Sequence, residues 1–315
     1  MALTKRRVWF VAAVLAVACA AVLSAMSGKA EATFPGENGK IAYANYGGKN
    51  GIYTINPNGG GRAKATRGDE PSYSPNGKRI AFTASDGHDA EIYTINVGGG
   101  GKAKVTNNNT DDGSPSYSPD GKKIAYVGYE GNDPETDTDT EIYTIKVGGG
   151  ASFQVTHNDT FDFSPSYSPD GKKIAYDSYD GHDGEIYTIN PDGTDKFNVT
   201  DNNKEDYDPN YSPNGKKIAY TGVDGPYYAV DSEIYSINVG GGGEFKVTSN
   251  GKDDEDPSYS PDGNKIAYTG YKRFGTSDDE DFDHEIYTIK VGGGGKSQVT
   301  DTKYYASDPS WGSRP

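Results

Sequence analysis

This 315-residue chain holds a single cysteine, Cys19, and it lies inside an N-terminal apolar run. Disulfides and thiol chemistry are therefore excluded from everything beyond that run. Histidine is scarce as well, so a transition-metal centre has only His88, His157, His182 and His284 to draw on. Neither G-x-S-x-G nor H-E-x-x-H occurs, which removes the familiar hydrolase elbow and zinc-protease pair. Beyond the first run, no apolar stretch approaches the length of a membrane span. Low hydrophobic content (33%) and 43 Gly suit a disordered chain, but 25 Tyr and 10 Phe argue for a packed interior.

Lys5, Arg6 and Arg7, the apolar run from Val8 to Met26 and the small-residue site Ala30-Glu31-Ala32 read as a secretory leader. Residues 1–32 are thus expected to be a signal peptide, with 33–315 exported to a periplasmic or extracellular space. An uncleaved membrane anchor is the alternative. Without the leader the net charge moves from −15 to −18, so the net field favours neither nucleic acid nor an anionic membrane.

A block of the form P-S-Y-S-P-D-G-K-K-I-A-Y, a variable stretch, E-I-Y-T-I, a Gly-rich turn and V-T recurs along the chain. The E-I-Y-T-I unit starts at Gly51, Glu91, Glu141, Glu185, Glu233 and Glu285, at spacings of 40 to 52 residues, the length of a propeller blade. Each repeat reads as four strands: A at 165–168, B at 173–178, C at 185–190 and D at 197–200 in the best-formed copy. Ser168-Pro169-Asp170-Gly171 and Asn190-Pro191-Asp192-Gly193 carry Pro and Gly where hairpin turns need them. The chain enters at a strand B (Lys40 to Ala44) and ends after a lone strand A (Asp308 to Trp311), so the last strand is expected to complete the first blade. Six antiparallel four-stranded blades closed in this way make an all-β, six-bladed β-propeller without open edges.

The S-P-D-G-K-K-I-A-Y and E-I-Y-T-I units resemble the repeats of TolB-type and prolyl-oligopeptidase-like propellers, across residues 36 to 312. TolB proteins carry an α/β domain ahead of the blades, whereas few residues separate Ala32 from strand B here. The resemblance implies a propeller that binds a protein partner, in a superfamily that also contains enzymes.

In this topology the A–B and C–D turns share one face of the ring, and the B–C and D–A loops share the other. The loops hold 33 acidic residues against 7 basic, and the turn side holds 19 basic against 7 acidic. Carboxylates about 6 Å apart repel by about 0.7 kcal/mol in water and by more near a protein surface. A cation or a basic partner on the loop face would offset that repulsion.

Five repeats place an Asp two residues before the strand C Glu: Asp89 and Glu91, Asp139 and Glu141, Asp183 and Glu185, Asp231 and Glu233, Asp283 and Glu285. The run Asp133, Glu135, Asp137, Asp139, Glu141 is the densest. Alternate carboxylates on an extended segment point the same way and suit calcium, so these residues, with Asp137, are the metal candidates. The competing reading has each Asp capping its turn and each Glu bonding backbone. All four histidines fall on the loop face, as solvated loop residues or as ligands of a transition metal. Sixteen tyrosines occupy three repeat positions and read as core. Tyr129, Tyr179 and Tyr271, with Tyr46, recur three residues after the strand B tyrosine and are the partner-binding candidates; Tyr227, Tyr228, Tyr304 and Tyr305 add loop pairs. The tract Gly292 to Ser297 is a turn and not a phosphate loop, because Lys290 stands where a Walker motif needs Gly.

The expectation is a non-catalytic, monomeric binding scaffold with a protein partner, basic or bridged by calcium. The alternative is a metal-assisted lyase or hydrolase acting on a saccharide or peptide, with histidines converging near the axis.

Overall fold

The computed structural model describes residues 34–47, 50–129, 139–179, 182–224, 231–274, 281–302 and 305–315, with backbone alone for 272–274 and 281–283. The leader lies outside the described residues, as do Asp133, Glu135, Asp137, Tyr227, Tyr228 and Tyr304. Among the described residues no helix is long and apolar enough to cross a membrane.

Six separate four-stranded sheets form the blades of a six-bladed β-propeller. Blade 4 shows the pattern, with strand A at Phe161–Tyr167, B at Ile174–Tyr179, C at Gly184–Ile189 and D at Phe197–Asn198. Blade 1 takes B, C and D from Asn38–Tyr46, Gly51–Ile55 and Ala63–Thr66, and its strand A from Tyr305–Ser313 at the other end of the chain. Pairing of Ile41 with Trp311 and of Ala42 with Ser310 closes the ring. Strands A of successive blades contact one another around the ring, which makes them the innermost strands. Outermost strands D are mostly two residues long and leave little free edge.

The two-residue alternation of the repeat builds the core between blades. Ala175, Ile186 and Val199 face blade 5, where they meet Tyr211, Ile218 and Tyr220. Ile174, Tyr176 and Ile189, from the opposite side of the same sheet, join Ala125, Ile142 and Val155 of blade 3. Strand B and strand C aromatics stack within every blade, at 5.6 to 6.0 Å between centroids. Arg62, Lys102, Lys196 and Lys296 lie 4.0 to 4.3 Å over the strand C rings and cover four of these pairs.

The S-P-D-G turns are locked by local bonds. In blade 4, Ser168 Oγ and Lys172 N donate to Asp170 Oδ1, while Lys173 N donates to Ser168 Oγ. Gly171 holds φ +72°, and a Cβ there would lie 3.0 Å from the turn proline Pro119 of blade 3. Glycine is required because the turns pack against each other around the ring.

Residues 34–38 cross the turn side of the channel. Phe34 is buried in the cluster that contains Tyr117 and Tyr167 of blades 3 and 4. Two residues on, Gly36 N donates to Pro261 O of blade 6, and Asp262 N donates to Asn38 Oδ1. Blades 3 and 4 lie across the axis from blades 6 and 1, so Phe34 sits at that mouth of the channel.

Candidate functional site

Five strand C glutamates, Glu91, Glu141, Glu185, Glu233 and Glu285, are buried. Each reaches the loop that follows strand D: Asn158 N donates to Glu141 Oε1 at 2.7 Å, Asn202 N to Glu185 Oε1 at 2.7 Å and Asn250 N to Glu233 Oε1 at 2.7 Å. Asn108 N and Thr302 N do the same for Glu91 and Glu285. The same asparagine then bonds an aspartate on strand A of the next blade, as Asn108 does to Asp112, Asn158 to Asp162, Asn202 to Asp206 and Asn250 to Asp254. Four blade junctions are stitched by this Glu–Asn–Asp relay. Its first half, Glu to backbone, is the competing reading of the strand C glutamates; the sequence reading missed the Asn–Asp half, although Asn-x-x-x-Asp recurs visibly at all four places. Burial pushes Asp112 and Asp254 up to about 7 and Asp206 to about 8. Glu141 rises to about 7 for the same reason, with Asp162 beside it.

Of the metal candidates, Asp89 and Glu91 come together with Asp86, their carboxylate oxygens all lying within 4.8 Å of one another. It is the only such group among the described residues, and it includes no histidine. One oxygen of Asp89 and one of Glu91 are buried with no hydrogen-bond partner, an arrangement that fits a hard cation. An internal cation is already close: Lys104 Nζ lies 2.8 Å from Asp86 Oδ2 and 2.7 Å from Glu91 Oε1. Its hydrogen bond holds the Asp86 carboxyl well below the usual range. In blade 5, Lys246 Nζ lies 2.8 Å from Asp224 Oδ2 and 3.6 Å from Glu233 Oε1. Counting charge by connection puts Lys104 and Lys246 on the turn side; their ammonium groups instead reach the loop face and neutralise part of it. Asp139, Asp183 and Asp231 are half-buried. Burial, then the Glu233 carboxylate, raises Asp231 to about 6. Asp283 is placed by its backbone opposite Lys272.

The partner candidates differ in exposure. Tyr129 is 43% exposed, whereas Tyr179 and Tyr271 are half-buried. Tyr271 packs on His284 at 3.9 Å, and His284 meets Tyr305, 45% exposed, edge-on at 4.5 Å. Burial among these rings lowers His284 to about 4, so it is neutral at physiological pH. His88, His157 and His182 are exposed.

The deepest charge lies at the channel. Each strand A carries a residue at positive φ just before its proline: Glu70, Ser114, Ser164, Asp208, Asp256 and Asp308. A register shift in strand A accompanies it, a bulge that turns the side chain off the ladder. Ser164 Oγ donates to Asp208 Oδ1 at 3.1 Å across the blade 4–5 junction, and Asp208 N donates to Asp177 Oδ1 at 3.2 Å. Asp208 Oδ2 is buried without a partner. No basic side chain among the described residues pairs with Asp177, Asp208 or Glu255. Burial, then the carboxylates of Asp256, Asp177 and Glu255, raises Asp208 well above the usual range. Burial raises Asp177 to about 7, and Glu255 reaches about 8 through burial and the Asp256 carboxylate.

Six four-stranded blades and ring closure by the last strand define a six-bladed β-propeller. The chain belongs to the TolB β-propeller domain family, which it matches over residues 33–135 and 133–314. It is similar in structure to TolB from Acinetobacter baumannii, at 21% identity and TM-score 0.72, covering 89% of this chain and 68% of that one. A TolB candidate from Agrobacterium tumefaciens matches at 19% identity and TM-score 0.63, over 86% of this chain and 91% of that one. An oligogalacturonate lyase in complex with manganese shares the fold at 15% identity and TM-score 0.57, over 88% and 78% of the two chains. No curated protein sequence matches this chain.

Proposed function

We propose that this propeller is an exported, non-catalytic binding scaffold whose acidic loop face and channel mouth hold a basic segment of a protein partner. The observation that carries the reading is the buried carboxyl group at the channel, where Asp208 Oδ2 has no donor and, among the described residues, the charges that act on Asp208 most are acidic. Burial and like charge keep these carboxyls protonated in the free protein, and a lysine or arginine from a partner would stabilise their ionised form. Tyr129, Tyr179 and Tyr271 stand on the same face and supply aromatic surface beside the carboxylates. Calcium has a second place in this reading, at Asp86, Asp89 and Glu91, where it competes with the Lys104 ammonium. Among the described residues no third carboxylate joins Asp139 with Glu141, Asp183 with Glu185 or Asp231 with Glu233, so these pairs would bind it less well.

The test is titration of a fluorescent oligolysine peptide into the protein at physiological salt, read by anisotropy, alongside thermal unfolding in chelator and in millimolar calcium. The reading expects saturable one-to-one peptide binding and a rise in melting temperature with calcium. Absence of saturable binding overturns the basic-partner reading; an unchanged melting temperature removes calcium from it.

A further inference from the structure

On the opposite, turn-bearing face a cavity of about 500 Å³ opens between blades 3 and 4. That volume is within the usual range of small-molecule sites. Lys122, Lys123, Lys146, Asp120, Asp170 and the ring of Tyr167 line it. We propose that this cavity binds a small hydroxylated anion, a sugar carrying a phosphate or a carboxylate group.

The argument begins with a like-charge pair. Lys123 and Lys146 stand directly opposite each other on strands B and C of blade 3, an unfavourable cross-strand pairing. The same register is relieved elsewhere. Blade 2 sets Arg79 against Asn96, and blade 5 sets Lys217 against Asn238. In blade 4, Lys173 Nζ bonds Asp195 Oδ2 at 2.7 Å, whereas the corresponding residue of blade 3 is Ala151. Blade 6 repeats the pair as Lys265 and Lys290, beside a turn covered by residues 36–38. Blade 3 therefore combines two unrelieved ammonium groups with an open cavity.

The rest of the lining suits a ring with hydroxyls. Asp120 and Asp170 engage Oδ1 within their own turns, while Oδ2 meets only a long, exposed contact with Lys122 or Lys172, at 3.7 and 3.8 Å, which leaves Oδ2 to accept sugar hydroxyls. Pro119 and Pro191 give an apolar wall for a ring face. The Tyr167 hydroxyl is buried without a partner. The Tyr117 and Tyr211 hydroxyls share that state, so the hydroxyl alone does not choose this junction. Its coincidence with the lysine pair and the cavity does.

The experiment is calorimetric titration of the full protein with glucose 6-phosphate, glucuronate, glucose and inorganic phosphate, repeated on Lys123→Ala/Lys146→Ala and on Tyr167→Phe. Saturable binding is expected of the sugar phosphate or the uronate, whichever carries the preferred anion, with glucose at least about tenfold weaker. The double lysine variant should lose about tenfold in affinity at an unchanged melting temperature, and Tyr167→Phe about threefold. Three results overturn the proposal: no saturation by either charged sugar, unchanged affinity in the double variant, or inorganic phosphate binding as tightly as both charged sugars. Because the site lies on the face away from the channel carboxylates, its outcome is independent of the oligolysine titration.

Discussion

The two faces of the ring are built from one repeat and are held in different ways. On the turn face the S-P-D-G or S-P-N-G sequence returns with little change, and its Ser, Asp or Asn and backbone groups satisfy one another within a few residues. On the loop face the connections differ in length and sequence between blades, and buried carboxylates bridge neighbouring blades or remain without a counter-ion. The turn face therefore carries uniformity and stability, and the loop face carries the departures from the repeat on which the proposed recognition rests.

The largest expected effect comes from breaking the turn face alone. Gly171→Ala forces a side chain into positive φ against Pro119, at a cost of about 2 kcal/mol, read as a melting temperature lower by roughly 4 to 8 °C. Oligolysine affinity should be unchanged, because the channel carboxylates lie at the other end of the strands.

Next in size is the pH response of the loop face. Asp112, Asp206 and Asp254 have folded values of about 7, 8 and 7, against roughly 3.9 in the unfolded chain. The folded state thus binds more protons than the unfolded state between about pH 4 and pH 8. Their stabilising contribution is full below about pH 4, declines as pH rises and is gone by about pH 8. Melting should fall from pH 5 to pH 8. Asp206→Asn is the smaller refinement: it removes one of the three groups, flattens that slope and raises melting at pH 8 by about 2 °C. A slope of the opposite sign would contradict the assignment of these groups as protonated blade ties.

Much of the ring was legible because its residues repeat. The strand B and C patterns, the paired Pro and Gly of the turns and the stray strand A at the chain's end led directly to six blades and their closure. The loop face was legible in charge and less so in contact. Alternation predicted which residues share a side, but it did not tell that Glu141 would turn inward to Asn158 while Lys104 reached up to Asp86. Those contacts depend on how far a side chain extends between blades, which strand periodicity does not encode. The channel residues were hidden differently: Asp208 and Asp256 look like ordinary loop acids until the bulge before each proline turns them off the ladder.

The central claim is that the channel carboxylates, and not the overall acidity of the face, hold the basic partner. A comparison of two matched double substitutions tests it: oligolysine affinity of Asp208→Asn/Asp256→Asn against that of Asp159→Asn/Asp201→Asn, two exposed acids on the same face. The account predicts a loss of about tenfold or more for the channel pair and about twofold or less for the exposed pair. Equal losses in the two variants would contradict it.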